Sequence, residues 1–380
     1  MKSIILATLE YPVQKGGIAT YLANLVACFP KGSVHVLAPE NPQSHDTDMR
    51  SDASIFRRNL LSRWLRPRWL AALYWTDWLA KKERADMLIV SHVLPMGLVA
   101  RILKRRRGLP YAVIVHGMDV ALALEAGGWK RARARAVLED AEVVVANSVH
   151  TAQLAEALGA RKEKIALVRP SPGFALDTVL PPDRIEAVRK FYAMPTIGYT
   201  LLSVGRLVER KGFAEVIEAV ALLKKDGRKV NLVIVGDGPD RRRLEALVNS
   251  HQVADLVTFL GEVSDEDLPG LYAAASVFVM APKSIGADVE GFGIVYLEAN
   301  LMGKPVIGSR VGGVADAVVD GKTGLLVEPG SGEAIAAAVR KLMDDPALAE
   351  RLGSDGRKRV LEDFGWKRQA GGFVEAVMKE

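Results

Sequence analysis

One cysteine, Cys28, among 380 residues leaves no room for an intrachain disulfide or a cysteine-built metal cluster, and so favours a reducing compartment, with helix packing as the expected role of that thiol. Long apolar runs are also missing. No segment approaches the roughly 20 uninterrupted apolar residues that span a bilayer, and the short apolar start Met1–Glu10 passes directly into a Gly-rich loop, which makes it a first strand and not a signal peptide. What is present is a globular composition, 49% hydrophobic and 25% charged, in a chain too long for one core of ordinary size. Two domains are therefore expected.

Charge is uneven between them. Residues 1–180 hold 25 Lys+Arg against 16 Asp+Glu, a net of +9, which leaves 26 against 29 in the remainder. The run from Ile55 to Leu70 interleaves Arg57, Arg58, Arg63, Arg66 and Arg68 with Phe56, Leu60, Leu61, Trp64, Leu65 and Trp69, and further basic clusters span 101–107 and 130–135. Three readings stay open for the run: an anionic membrane surface, a core-facing helix with solvated arginines, and nucleic acid. No nucleic-acid-binding motif accompanies the charge, so no nucleic-acid partner is expected.

Strand-like runs at 4–9, 34–38, 87–91, 111–115 and 142–146 alternate with helical stretches such as 19–29, 67–84 and 129–139. A Pro-rich linker candidate covers 169–183, after which the pattern resumes through 200–204, 231–235, 257–260, 276–280, 305–308 and 324–327. The stretch 364–378 reads as a final helix. Such alternation implies an α/β fold with parallel sheets, where ligands bind at the carboxyl ends of the strands.

At one such end stands Glu290-Gly-Phe-Gly-Ile-Val-Tyr-Leu-Glu298, with a strand before it and another after it. Gly291 and Gly293 allow Glu290 to sit on a loop while Glu298 points inward from the following helix. A helix opening near Ile294 offers unsatisfied amides to a phosphate, and the carboxylates can accept hydrogen bonds from sugar hydroxyls. This division suits a nucleoside diphosphate sugar; taken alone, both glutamates also read as ordinary helix-start and solvated charges.

Glycines mark the remaining strand ends. Gly16-Gly17 follows the first strand, and Gly17 can bring its backbone close to a phosphate. Gly205-Arg-Leu-Val-Glu-Arg-Lys-Gly212 places Arg206 and Lys211 where a diphosphate would sit, so that two cations could neutralise a leaving group. Gly236-Asp-Gly-Pro239 lacks the third glycine of a dinucleotide fingerprint and reads as a turn. His116 and Asp119 follow the strand 111–115, with His116 the stronger active-site candidate.

Taken in order and spacing, Gly16-Gly17-Ile-Ala-Thr-Tyr21, His116-Gly117, Gly205-Arg206 with Lys211-Gly212, Gly236-Asp-Gly-Pro239, the Glu290/Glu298 pair and Gly303-Lys-Pro-Val306 with Gly312-Gly313 resemble family 4 of the retaining GT-B glycosyltransferases over nearly the whole chain. The segment 288–299 is particularly similar to that of the bacterial phosphatidylinositol mannosyltransferases. The resemblance implies two Rossmann-like domains facing a central cleft: an acceptor-side domain over 1–175, a donor-binding domain over 176–362, and a helix over 363–380 crossing back to the first.

It also implies roles. Arg206 and Lys211 would bind the diphosphate, with Gly205 beside them and the Gly16-Gly17 turn contributing the N–H of Gly17. Glu298 would hold the ribose, and the backbone at Val263 would meet the base. Glu290 and the amides of Gly291, Phe292, Gly293 and Ile294 would hold the transferred sugar, His116 would lie beside the reacting centre, and Asp119 would belong to the acceptor side. Transfer would proceed with retention to a hydroxyl acceptor, lipid-linked if the basic run meets the membrane, as in envelope glycolipid or polysaccharide synthesis. No cofactor and no metal would be needed, and the location would be cytoplasmic on the inner membrane face. Two departures are visible: Pro170-Ser-Pro-Gly-Phe174 where relatives often carry Pro-Asn-Gly-Val-Asp, and Asp316 where a glutamate usually follows the glycine pair. A sugar-nucleotide epimerase of the same fold and a noncatalytic membrane-binding protein are the alternatives.

Overall fold

A computed structural model of the protein describes residues 2–14, 16–49 and 51–379. It divides into two compact units, Met1–Pro170 with Trp366–Glu380, and Ser171–Gly365.

In the first unit, β1 (Ile4–Ala7), β2 (Val34–Pro39), β3 (Ser54–Arg58), β4 (Met87–Ser91), β5 (Tyr111–Val115), β6 (Val143–Ala146) and β7 (Ile165–Leu167) form one sheet in the order β3-β2-β1-β4-β5-β6-β7. The second sheet, β8 (Tyr199–Val204), β9 (Val230–Val235), β10 (Val257–Gly261), β11 (Val277–Val279), β12 (Val306–Ser309) and β13 (Leu325–Val327), is ordered β10-β9-β8-β11-β12-β13. The pairings between these strands are all parallel. The central strands are apolar on both faces because helices cover both: β1 and β5 are buried at every position. In each sheet the order reverses beside the first strand, at β1/β4 and at β8/β11, and that is where loops leave the carboxyl ends on diverging helices.

The final helix, Trp366–Met378, packs within the first unit. Its Trp366 ring stands edge-on to Tyr21 at 5.3 Å, Phe373 meets Phe29 at 6.2 Å, and Gln369 accepts the Arg169 N–H at 3.1 Å. Cys28 lies just past the helix Gly17–Val26, part-buried, with its thiol donating to the Asn24 carbonyl at 3.3 Å.

The run 55–70 is not a single helix, and the helix expected over 67–84 begins only at Leu70. β3 takes its first residues because Ile55 and Phe56 pack on the core from an edge strand. Arg57 is bound to Asp48 through Nη2 at 2.7 Å and Nε at 3.0 Å, and Arg58 lies over the Trp75 and Trp78 rings at 4.9 and 5.9 Å. Leu60 is buried and Trp69 packs against the core. The exposed remainder is Arg63, Trp64, Leu65, Arg66 and Arg68, with Trp64 95% exposed. Much of the cluster 101–107 is likewise neutralised locally: Arg101 pairs with Asp140 at 2.6 Å, Lys104 with Glu142 at 2.5 Å, and Arg107 with Asp77.

Candidate active site

In the second unit the structure gathers charge at the ends of β8 and β11. After β8, a short 3-10 turn, Glu209–Lys211, aims two successive cations at one carboxylate: Lys211 Nζ donates to Glu290 Oε2 at 2.6 Å and Arg210 Nη1 to the same oxygen at 2.8 Å. Arg210 Nε also pairs with Asp288 at 2.8 Å. Gly212 makes this turn possible, since its φ is +77° and a Cβ there would collide with the Ala281 carbonyl. Burial alone would raise the Glu290 carboxyl, but the Lys211 and Arg210 charges outweigh it and hold the group below the usual carboxylate range. Glu290 is thus a buried anion with two cations, and Arg210 is a site residue the sequence reading passed over although it stood inside the quoted motif.

Arg206, one residue beyond Gly205, is exposed, and its guanidinium makes no hydrogen bond or ion pair among the described residues, the residue's backbone carbonyl accepting the Val208 N–H at 2.9 Å. It remains available to an anion. The loop 236–239, expected as a plain turn, does more than turn: side chains at Gly236 and Gly238 would strike the carbonyls of Gly205 and Leu207, so these glycines let the loops after β8 and β9 close on each other behind Arg206.

The segment 290–298 divides as its spacing implies. Gly291 lies on the loop, Phe292 is buried against Phe364 with ring centroids 6.0 Å apart, and Gly293 (φ +89°) precedes the helix Ile294–Leu301. A Cβ at Gly293 would fall 2.6 Å from the Tyr296 ring, whose hydroxyl donates to the Met280 carbonyl at 2.6 Å. Glu298, one turn on, is buried, with Oε2 accepting from Tyr272 Oη at 2.7 Å and Oε1 from the Gly173 N–H at 3.1 Å. Burial pushes its carboxyl up, only partly countered by Tyr272 and Gly173. The divergent Pro170–Phe174 loop therefore has a specific task in this chain: Gly173 docks on Glu298 so closely that a Cβ would lie 2.8 Å from Oε1. Val263 follows β10 and packs, part-buried, on the same core cluster as Phe292 and Tyr296. Asp316 is buried in the first turn of the helix Val314–Ala317.

In the first unit, Gly16 and Gly17 are exposed where β1 gives way to the helix Gly17–Val26; their neighbour Lys15 lies outside the described residues. His116 immediately follows β5, and its Nε2 lies 2.8 Å from Ser91 Oγ at the end of β4. Asp119 has no oxygen spare of backbone: Oδ1 accepts the His116 N–H at 2.9 Å and Oδ2 the Val93 N–H at 3.0 Å, which ties the β4 and β5 ends together. The sequence reading missed His92, whose ring centroid is 5.0 Å from that of His116.

Burial, reinforced by His92 and opposed by Asp119, lowers the His116 pKa to about 3 from an ordinary value of 6.5. The unfolded chain takes up this proton as pH falls through 6.5 while the folded chain does not until about 3, so stability present above that window is lost within it. Replacing His116 by Asn should flatten the fall of Tm between these pH values, as followed by circular dichroism; parallel Tm curves for the two proteins would contradict the assignment.

The chain contains two Asp-x-Asp spacings, Asp46/Asp48 and Asp265/Asp267. Asp48 is taken by Arg57, and Asp267 accepts from Tyr192 Oη at 2.9 Å and Arg184 at 2.6 Å. Among the described residues, no three His, Cys, Asp or Glu side chains converge as a metal cage.

Comparison with known proteins agrees with this geometry. Residues 16–171 match a family model described as a glycosyl transferase 4-like domain, and residues 185–359 match one described as glycosyl transferases group 1. A GDP-mannose-dependent alpha-(1-6)-phosphatidylinositol monomannoside mannosyltransferase of Mycolicibacterium smegmatis is 30% identical over 389 residues, covering 98% of this chain and 98% of the relative. A D-inositol 3-phosphate glycosyltransferase of Streptomyces avermitilis is 33% identical over 74% of this chain and 63% of its own length. Among solved structures, Anabaena Alr3699/HepE in complex with UDP and glucose superposes with a TM-score of 0.83 at 19% identity, covering 100% of both chains.

Proposed function

Because this chain belongs to the group 1, family 4-type glycosyltransferases of GT-B fold, and so uses a nucleotide sugar, we propose that it moves a hexosyl group with retention from a nucleoside diphosphate hexose to a hydroxyl acceptor carried by a lipid. The observation that carries this reading is the Arg206, Arg210, Lys211 and Glu290 constellation at the end of β8, with Glu298 one helical turn into the next helix. Free Arg206 and the Lys211 ammonium take the diphosphate and stabilise charge as the phosphate departs. Glu298 receives ribose hydroxyls on the lone pairs left by Tyr272 and Gly173, and the backbone at Val263 meets the base. Glu290, with the amides from Gly291 to Ile294, orients the sugar.

Front-face transfer lets the departing phosphate accept the acceptor's proton, so the mechanism calls on no cofactor and no metal. GDP-mannose is the first donor to test, since the Mycolicibacterium smegmatis relative is named for it. With an inositol-bearing lipid as acceptor, NDP release should depend on the acceptor, and proton NMR should show the product's anomeric configuration matching the donor's. Acceptor-independent NDP loss would favour the epimerase, and an inverted product would end the retaining assignment.

A lipid acceptor requires the enzyme to reach a bilayer, and among the described residues no helix is long and apolar enough to cross one. We place the contact on the exposed loop Arg63–Arg68, where three arginines flank Trp64, on the inner face of the cytoplasmic membrane. Each arginine near an anionic surface contributes about 1 kcal/mol. Wild-type protein should co-sediment with anionic vesicles at low salt and be lost from neutral ones. The Arg63→Glu/Arg66→Glu/Arg68→Glu variant, whose changes touch no core residue, should lose that preference; an unchanged preference would move the contact elsewhere and leave a soluble acceptor as the better reading.

A further inference from the structure

The carboxyl ends of β1, β4 and β5 carry a polar chain separate from the Arg206, Arg210, Lys211 and Glu290 group at the end of β8. Thr8, fully buried, fixes the backbone of Glu10 by donating to its carbonyl at 3.0 Å and accepting its N–H at 3.1 Å. The Glu10 carboxylate stands 3.6 Å from His92 Nε2. His92 Nδ1 lies 3.2 Å from Ser91 Oγ, which lies 2.8 Å from His116 Nε2. His92 reaches this place with φ at +78°, a conformation uncommon for any residue bearing a Cβ and one that clusters at functional sites.

Ser91 has one hydroxyl proton. It can donate to only one imidazole, so the two ring nitrogens facing it cannot both be lone pairs; with these rings as its only side-chain partners among the described residues, it donates to one and accepts from the other, and the two tautomers are linked whenever both rings are neutral. The carboxylate breaks the tie, because it attracts an N–H and repels a lone pair. His92 then carries its proton on Nε2, Ser91 donates to His92 Nδ1, and His116 donates Nε2–H to Ser91. That leaves His116 Nδ1 as a lone pair, which makes no hydrogen bond among the described residues on a ring that is only part-buried. Burial keeps the ring neutral. The other polar groups facing it do not compete for its nitrogens: Asp119 is occupied by backbone N–H groups, and Tyr21, edge-on at 6.0 Å, donates its hydroxyl to the Val168 carbonyl.

We propose that Glu10 and His92, acting through Ser91, are positioning residues that fix the tautomer of His116 so that its Nδ1 accepts a hydrogen bond from a sugar hydroxyl. The hydroxyl as the occupant rests on the glycosyltransfer reading above; the tautomer relay itself does not.

Histidine-labelled full-length protein, free of substrate, tests the relay by long-range proton–nitrogen correlation NMR. Wild type should carry the proton on Nε2 of both rings. Glu10→Lys, at a side chain 42% exposed, offers His92 Nε2 a donor and should reverse the chain, moving the His116 proton to Nδ1. Adding Ser91→Ala should cut the relay and return that proton to Nε2. Glycosyl transfer by Glu10→Lys should fall about tenfold in kcat/KM, the loss of one neutral hydrogen bond. A His116 proton on Nδ1 in wild type, or on Nε2 in Glu10→Lys, would overturn the relay. Tautomers as stated in a protein that turns over no nucleotide sugar would overturn the hydroxyl-binding role, and the glycosyltransfer reading with it.

Discussion

Replacing Lys211 by alanine should slow glycosyl transfer by about 100-fold or more, and Arg206→Ala should do nearly as much. Removing one preorganised charge from a departing phosphate costs on the order of 3 kcal/mol of barrier. The two variants should differ in stability. Arg206 is exposed and makes no contact that folding depends on, so Tm should stay at the wild-type value. Lys211 is one of two cations on buried Glu290; its loss leaves Arg210 alone with the carboxylate, and Tm should drop measurably. Steady-state turnover and thermal unfolding on the same preparations separate the two effects. Near-normal turnover in both variants would remove the diphosphate from this turn.

Glu290→Ala and Glu298→Ala should part ways. Removing the Glu290 carboxylate frees Lys211 and Arg210 together, so affinity for free NDP should hold or rise while transfer falls by about 100-fold, because the sugar loses its orienting acceptor. Removing Glu298 deletes the group expected on the ribose and also strands the Tyr272 hydroxyl and the Gly173 N–H, so NDP affinity should weaken by roughly tenfold, the loss of one to two hydrogen bonds. Calorimetry with NDP reads both. Equal losses of NDP affinity would contradict the division of labour.

How much of this the sequence disclosed depends on the range of the interaction. The parallel sheets were legible because strands buried on both faces read as continuous apolar runs, and the Glu290–Glu298 segment because its glycines fix the backbone locally. The edge strand β3 was not, since its Arg57 and Arg58 are balanced by Asp48 and by two tryptophans about 20 residues away, which no local pattern records. The same blindness hid the pairing of Arg210 and Lys211 with Glu290 and the docking of Gly173 on Glu298, contacts that span 79, 80 and 125 positions. His92 gave no motif at all; only the adjacency of β4 and β5 sets it beside His116.

The central claim, that the end of β8 is a nucleotide-sugar diphosphate site, is tested most directly by calorimetric titration of wild type and the Arg206→Ala/Lys211→Ala double variant with GDP-mannose and UDP-glucose. Wild type should bind one of them in preference to the other, and the folded double variant should lose that binding by at least about 100-fold. Equal affinity in the two proteins would contradict the account.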